Sequence, residues 1–189
     1  MNSIRIADKV QSIALCTGNA DMDTFPIDSQ KFRALMGRFI TGVTVIAVPN
    51  AESPADVVAM TASSLTSVSL SPLLLLFCVR NESSFLSHLR HSKKFSVNIL
   101  ASHQDSISRY YGGSASKGYQ GEWIFNANSM PILVEANASL ICKIFHLQEF
   151  GDHHVVIGEI TEMSAAEPPA PALIYAAGQY MGVDLARHA

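Results

Sequence analysis

The alternation of apolar and polar positions predicts a chain built mainly from strands. Residues Met60–Val79 read MTASSLTSVSLSPLLLLFCV, with small hydroxyl side chains before Pro72 and an apolar run after it. The second half, Leu73–Val79, is apolar on both faces and predicts a fully buried strand. The hydroxyls before it leave two interpretations open: a solvated face of an ordinary strand pair, or a polar wall that hydrogen-bonds a ligand at the corner of a β-barrel.

Helical periodicity is confined to a few segments. Near the start of the chain, apolar residues recur at helical spacing after Asp28 or Ser29, either of which can cap the helix, and Gly42 should end it. Its apolar face consists of Phe32, Leu35, Met36 and Phe39. Two further helices are predicted at about Ser84–Ser92 and Gln104–Tyr111, the second stopped by Gly112 and Gly113.

The remaining periodic segments read as strands joined by short turns. No alternation of strand and helix indicates a parallel sheet, so the pattern favours a mainly β fold, a closed or split antiparallel barrel with helices at its ends. Residues 113–131 interrupt it as a long surface excursion that carries Trp123, the only tryptophan. The predicted strands are Val43–Val48, Val57–Ala62, Leu65–Leu70, Leu73–Val79, Phe95–Leu100, Ala138–Leu147, His154–Met163 and Gln179–Val183.

Composition narrows the classes of protein. The 189 residues fit one domain, expected at 26–189 behind an N-terminal arm at 1–25. An apolar fraction of 48% with 15% charged residues favours a homodimer, and a net charge of −3 argues against nucleic acid as a partner. The three cysteines form no CxxC pair, which indicates reduced thiols. With no segment that resembles a targeting signal or a membrane span, we expect a cytoplasmic protein.

Several common active-site motifs are absent from the sequence. There is no GxGxxG, no P-loop and no GxSxG elbow. His88 and His91 have the spacing of a metal pair on a helix, but without a nearby third ligand they are better interpreted as surface histidines. Cys78 and Cys142 lie in predicted strands and are interpreted as small core residues rather than nucleophiles.

A series of blocks resembles one known family. In order, FRALMGRFITGVTVIAV, MTASSLTSVSLSPLLLLFCV, FSVNIL, YYGG, MPIL, SLICKIF, GDHHVVIGEI and GQY occupy most of the chain from Phe32 to Tyr180. Together they resemble the short-chain flavin reductase family, the reductase components of two-component flavin-dependent monooxygenases. The block SLICKIF contains the cysteine of that family, and the block GDHHVVIGEI contains its GDH-x(4)-G pattern.

The resemblance implies an FMN-binding split β-barrel of Greek-key type that forms a homodimer. It implies hydride transfer from NADH or NADPH to FMN or FAD, with reduced flavin released to a partner oxygenase. Such a reaction needs stacked rings and hydrogen-bond donors rather than a metal. Two alternatives remain: an FMN-containing reductase of another acceptor, such as a cobalt corrinoid or ferric chelate, and a non-catalytic flavin- or haem-binding barrel.

The resemblance also assigns roles to residues. The segment Thr61–Ser64 should contact the isoalloxazine edge, residues 78–84 should follow the ribityl chain to the phosphate, and residues 98–100 should pack beside the ring. His153 should face the nicotinamide, with Tyr180 as a second candidate there, while strand alternation turns His154 to the opposite face. The expected flavin contacts are Thr61, Ala62, Ser63, Ser64, Cys78, Val79, Arg80, Asn81, Ser83, Ser84, Asn98, Ile99, Leu100 and Tyr180.

The chain departs from the family pattern where the phosphate should bind. Phe85 stands where the family often has a basic residue after the double serine. Three alternatives stay open: Arg80 supplies the positive charge, Arg109 supplies it, or the phosphate is held loosely. Gln179 replaces a basic residue near the final tyrosine, so the choice between NADH and NADPH stays open. Two smaller departures are Ala59 for glycine and Ser71-Pro72-Leu73 for Asp-Pro-Pro.

Overall fold

The computed structural model describes residues 27–113 and 119–185. The arm predicted at 1–25 lies outside the described residues, as does the part of the predicted excursion at 114–118. The chain divides into two compact units, Met1–Ala34 and Leu35–Ala189, and the second contains every strand of the sheets described below.

Strands dominate the described structure. Short helices separate some of them, and a 3-10 turn at Ser102–Gln104 precedes the last helix. In chain order the elements are α1 (Ser29–Met36), β1 (Thr41–Gly42), β2 (Thr44–Pro49), β3 (Val57–Ala62), β4 (Thr66–Leu70), β5 (Leu73–Arg80), α2 (Ser84–Ser92), β6 (Lys94–Ile99), α3 (Asp105–Tyr111), β7 (Trp123–Phe125), β8 (Pro131–Leu133), β9 (Ala138–Phe150), β10 (His153–Ala165), β11 (Ala172–Ala176) and β12 (Gln179–Val183).

The first helix begins where its cap predicts and ends earlier than predicted. The carboxylate of Asp28 accepts a hydrogen bond of 2.8 Å from the backbone N–H of Lys31, which is the geometry of an N-terminal cap. The helix stops at Met36 rather than at Gly42, because Thr41 and Gly42 are extended and pair as β1 with β11. The prediction of a helix up to Gly42 was therefore wrong.

An antiparallel sheet of seven strands forms the framework, in the order β3-β2-β6-β9-β10-β5-β4. Three strand spacings separate β6 from β5, about 14 Å in a flat sheet. Nevertheless, the ring centroids of Phe95 on β6 and Phe77 on β5 lie only 5.2 Å apart. The sheet is therefore strongly curled, which agrees with the predicted mainly β antiparallel barrel.

The hydrophobic core fills the inside of this curl. Phe77 and Phe95 are fully buried there with Ile46, Leu89 and Val97. Gly158 on β10 is required beneath the ring of Phe95, because a Cβ at this position would overlap the ring. This close approach gives a physical reason for the glycine that ends the GDH-x(4)-G pattern.

Strand β5 is less buried than its sequence predicted. Leu73 is 38% exposed, and Leu76 and Cys78 are half-buried, so β5 is not the fully buried strand that its apolar run predicted. The reason is that β5 lies next to the edge strand β4, whose hydroxyls face mainly solvent. The hydroxyls of β4 therefore form a solvated face. The hydroxyls at 61–64 precede this strand, and whether they form a ligand-binding wall is a separate question.

Smaller sheets complete the structure. Strand β11 pairs with β1 and β12. Strand β7 lies within the segment predicted as a long excursion and pairs with β8, which begins at the last residue of that segment. In the described ranges, no helix is long and apolar enough to cross a membrane. The same ranges hold no cluster of three or more His, Cys, Asp or Glu side chains suited to a metal ion.

Candidate functional site

A cavity of about 540 Å³ opens between β3, β5, the C-terminal end of α3 and the start of β10. It collects parts of the chain that are far apart in sequence. Its walls are formed by Met60, Thr61, Ala62, Ser63, Ser64, Cys78, Arg80, Ser83, Tyr111, Gly112, Gly113 and His153. Eight of the fifteen site residues predicted from the sequence are among them.

The first wall is the end of β3 and the loop after it, which carries the predicted hydroxyls. Thr61 Oγ1 donates a hydrogen bond of 2.7 Å to the carbonyl of Ser108 on α3. Ser64 Oγ accepts one of 2.9 Å from the backbone N–H of Cys78 on β5. These bonds fix the loop at both ends, while the hydroxyl proton of Ser64 remains available to a ligand.

Positive charge lies at the end of the cavity formed by Arg80 and Ser83. Ser83 is the residue before the nine-residue helix α2, and its side chain makes no capping hydrogen bond. Arg80 and the residue that precedes this helix therefore border the same cavity, a combination of positive charge and helix N-terminus that suits an anion. Arg109, the other arginine considered, stacks at 4.6 Å on the ring of Tyr180 and pairs with Asp105 at 3.4 Å.

The opposite wall contains residues that the prediction of site residues missed. Tyr111, Gly112 and Gly113 form it, although the two glycines were interpreted only as a helix stop. Tyr111 is held by its hydroxyl, which donates to the carbonyl of Gln120 at 3.1 Å and accepts from the indole N–H of Trp123 at 3.2 Å. Burial raises the pKa of Tyr111. The YYGG block was the signal that could have placed this wall at the site.

His153 lines the cavity from the start of β10. Its Nδ1 lies 2.7 Å from a carboxylate oxygen of Asp152. The hydrogen bond from His153 holds the pKa of the Asp152 carboxyl below its usual range, with the imidazole charge adding to the effect. With Nδ1 donating to Asp152, Nε2 is the ring nitrogen available to a ligand in the cavity.

The other predicted site residues do not line this cavity. Val79 and Leu100 are fully buried core residues, and Asn98 is fully buried with its amide bonded inside the protein. Asn81 faces away towards His154, and Ser84 is exposed at the start of α2. Their contact with flavin remains a prediction, which the positions of these side chains do not favour.

Two further cavities adjoin the first. One of about 190 Å³ shares Thr61, Ser63 and Gly112 with it and adds Tyr180, whose hydroxyl lies 2.8 Å from Ser108 Oγ. The other, about 560 Å³ and mostly apolar, shares Ser63 and Ser64 and reaches Ile99. Its rim includes Phe39 and Ile40, whose side chains are 67% and 60% exposed. Ser63 thus separates three spaces.

Comparisons with known proteins find relatives in sequence and in fold. The chain is 31% identical over 169 residues to the flavin-dependent monooxygenase reductase subunit HsaB of Rhodococcus jostii strain RHA1, covering 89% of this chain and 85% of that protein. Its fold matches the flavin reductase PheA2 with a TM-score of 0.76 and 32% identity, over 84% of this chain and 99% of that one.

A further solved structure with the same fold was determined with ligand fragments. It is the NADH:FAD oxidoreductase SgcE6 of Streptomyces globisporus in complex with NAD and FAD fragments, with a TM-score of 0.75, 28% identity and coverage of 87% of this chain and 99% of that one. The family model described as flavin reductase like domain matches residues 36–184. The chain therefore belongs to the flavin reductase-like domain family.

Proposed function

We propose that this chain is an NAD(P)H-dependent flavin reductase that passes reduced FMN or FAD to a separate oxygenase. The observation that carries the proposal is the 540 Å³ cavity, in which a hydroxyl-rich loop, Arg80 and His153 face one space. Relatives named as a monooxygenase reductase subunit and as an NADH:FAD oxidoreductase support the same reaction.

The residues present fit a flavin by the chemistry of their donors. Ser63 and Ser64 offer hydroxyls to the polar edge of an isoalloxazine ring, where negative charge grows during reduction. Arg80, with the N-terminal N–H groups of α2, offers positive charge to the phosphate. Arg80 therefore replaces the basic residue that the family often has at the position of Phe85, a side chain that is buried in the core.

When bound, the two ligands would themselves supply the chemistry, which is hydride transfer from the nicotinamide to the flavin. The protein contributes positioning. His153, oriented by Asp152, presents Nε2 to the nicotinamide carboxamide. We expect His153→Ala to slow flavin reduction by about tenfold or more and to leave flavin affinity within about threefold. Stopped-flow reduction at several NADH concentrations measures both, and an unchanged rate would remove His153 from the mechanism.

Turnover with free flavin tests the reaction. Purified full chain should oxidise NADH or NADPH only when FMN or FAD is added, and gel filtration should separate the reduced flavin from the protein. A flavin that stays bound and reduces an added ferric chelate or cobalt corrinoid would favour the alternative acceptor. Failure to oxidise NADH or NADPH with either flavin would contradict the reductase and favour the non-catalytic flavin- or haem-binding barrel. Parallel assays with NADH, NADPH, FMN and FAD settle the preferences.

Homodimer formation is the second part of the proposal. Phe39 and Ile40 on the rim of the mostly apolar 560 Å³ cavity are largely exposed, and a second copy of the chain would cover them. Sedimentation at micromolar concentration should give twice the chain mass, and Phe39→Asp should shift it towards the monomer. The matched control is Phe145→Asp, which places a charge on a 55% exposed phenylalanine that does not line that cavity. A wild-type monomer with full activity would contradict the dimer.

A further inference from the structure

The histidine that follows His153 ties three elements together behind the cavity wall. His154 is only 6% exposed. Its Nδ1 lies 2.7 Å from Oδ1 of Asn81, which follows β5, and its Nε2 lies 2.8 Å from a guanidinium nitrogen of Arg90 on α2. Both ring nitrogens of a buried imidazole are therefore engaged.

The orientation of the Asn81 amide follows from its other contacts. Its Nδ2 lies 2.9 Å from Glu149 Oε1 and 3.1 Å from the carbonyl of Gly151, both of which only accept hydrogen bonds. The amide nitrogen must face them, so Oδ1 faces His154 as an acceptor. The backbone N–H of Asn81 also donates to the carbonyl of Asp152 at 3.0 Å. Asn81 thus holds the turn between β9 and β10 against the end of β5.

These contacts select one form of the imidazole. Because Oδ1 of Asn81 accepts, Nδ1 of His154 must carry a proton. Because a guanidinium only donates, Nε2 of His154 must be unprotonated to accept from Arg90. The neutral Nδ1–H tautomer is the form that makes both bonds, whereas the imidazolium and the Nε2–H tautomer each lose at least one.

We propose that His154, through Asn81 and Arg90, is a positioning residue that fixes the neighbouring His153 at the cavity. The inference rests on the proposed flavin reductase function for its kinetic consequence. In β10, His153 pairs with Arg80 and His154 pairs with Val79 of β5. Successive side chains of a strand point to opposite faces, so anchoring His154 on one face sets the position of His153 on the other.

The protonation state gives a test that does not depend on activity. Long-range ¹H–¹⁵N spectra of the full chain labelled with ¹⁵N-histidine should show His154 neutral, with Nδ1 protonated and Nε2 bare. The signal is assigned by its absence in His154→Asn. In Arg90→Leu, the Nε2 resonance should shift because its donor is gone, and the His153 ring signals should move as well. An Nε2–H or charged His154 in the wild-type chain would overturn the network.

The kinetic test separates positioning from folding. In His154→Leu, both contacts are lost, and we expect the KM for NADH to rise and the rate of flavin reduction to fall, each by about tenfold, with flavin affinity within about threefold. His154→Asn keeps a donor near Asn81 and should recover part of the loss. The matched control is His88→Leu, which removes an imidazole of α2 that accepts from the backbone N–H of Ala51 at 3.2 Å, away from the cavity lining.

The outcomes distinguish the two proposals. A wild-type chain that does not reduce flavin, yet shows the Nδ1–H tautomer, would overturn the proposed function and the kinetic role while confirming the network. An active wild type with unchanged kinetics in both His154→Leu and Arg90→Leu would overturn positioning alone. If His154→Leu does not fold, Arg90→Leu decides, because Arg90 is on the surface of α2 and its loss should still raise the KM for NADH by about threefold.

Discussion

Two clusters of small polar residues lie on the same sheet and differ in what their hydrogen bonds are used for. In the core cluster, Asn98 is fully buried, and its amide donates to the Val45 carbonyl and Ser96 Oγ at 3.1 Å each. Its oxygen accepts from the Leu133 N–H at 3.0 Å and the Ser139 hydroxyl at 2.9 Å. Every hydrogen-bonding position of that amide is therefore occupied inside the protein.

The cavity cluster of Thr61, Ser63 and Ser64 keeps capacity to spare. Ser63 and Ser64 are exposed and line the cavity. Ser64 Oγ accepts one hydrogen bond from the Cys78 N–H, which leaves its own proton available to a ligand. The difference teaches that polarity in a strand does not identify a binding residue. Unused hydrogen-bonding capacity that faces a cavity does.

The largest effect is expected from removing the centre of the core cluster. Asn98→Ala leaves four buried partners without their bond and opens a small cavity, so the free energy of unfolding should fall by about 2–4 kcal/mol. Urea unfolding followed by circular dichroism measures it. Flavin affinity of the folded variant should stay within about threefold. A variant of wild-type stability with weakened flavin binding would place Asn98 in the site and erase the contrast between the clusters.

The second effect concerns the cavity cluster. Replacing Ser63 and Ser64 together by alanine should weaken flavin binding by about 1–3 kcal/mol, because two donors to the ligand are lost. Fluorescence titration with FMN and FAD measures the change. Unfolding should change little, since the Cys78 N–H beneath Ser64 can bond to water. The matched control is Ser67→Ala with Ser69→Ala on β4, outside the cavity lining. Equal flavin affinity in the two double variants would contradict the assignment of Ser63 and Ser64 as flavin contacts.

The two described cysteines extend the comparison to thiols. Cys142 is fully buried in the core, and burial raises its pKa to about 12, whereas Cys78 is half-buried and lines the cavity. In a Cys16→Ser background, a thiol reagent at pH 8 should label Cys78 and leave Cys142 unlabelled until the chain unfolds. Saturating FMN should slow labelling of Cys78 by about tenfold. Mass spectrometry of peptides identifies which cysteine is labelled. If FMN does not slow the labelling of Cys78, flavin binds outside this cavity.

The smallest effect is electrostatic and lies at the mouth of the cavity. The hydrogen bond from His153 lowers the pKa of the Asp152 carboxyl, so its contribution to stability is present above the usual aspartate value and is lost as pH falls through the folded pKa. Carboxyl ¹³C NMR should find this pKa below that of a free aspartate. In His153→Ala it should return towards the usual value. An identical titration in both chains would mean that the pair does not form in solution.

Much of the fold follows from local pattern. The bounds of β3, α2 and β12 agree with prediction residue for residue, because turns or caps border each of them. The sequence did not indicate β1 or β11. Thr41–Gly42 is too short to show alternation, and it becomes a strand only by pairing with β11, more than a hundred residues away. Such pairing is a tertiary effect that local periodicity cannot carry.

Residues assigned to the site come together in the structure where motif and exposure coincide. The hydroxyl loop, Arg80 and His153 meet at one cavity, as the resemblance implied. Asn98 was assigned to the site by its position in the sequence, and only the structure shows that its amide is hydrogen-bonded inside the core. Its contact with flavin therefore stays a prediction that the structure does not favour. The wall at Tyr111–Gly113 was missed because two glycines after a helix are already explained as a helix stop. Their role in lining the cavity depends on the distant strands that face them, which the local sequence does not show.

Ser63 and Ser64 form a partition shared by the 540 Å³ cavity and the apolar 560 Å³ cavity beside it. If flavin occupies one side and a second copy of the chain covers the other, both act on the same short loop. The two binding equilibria are then linked. If dimerisation increases the affinity for flavin by some factor, flavin must increase the affinity between the two copies by the same factor. A reductase whose dimer is tightened by flavin would dissociate into monomers more readily after it releases the flavin. The fraction of dimer would then depend on how much flavin has been delivered to an oxygenase.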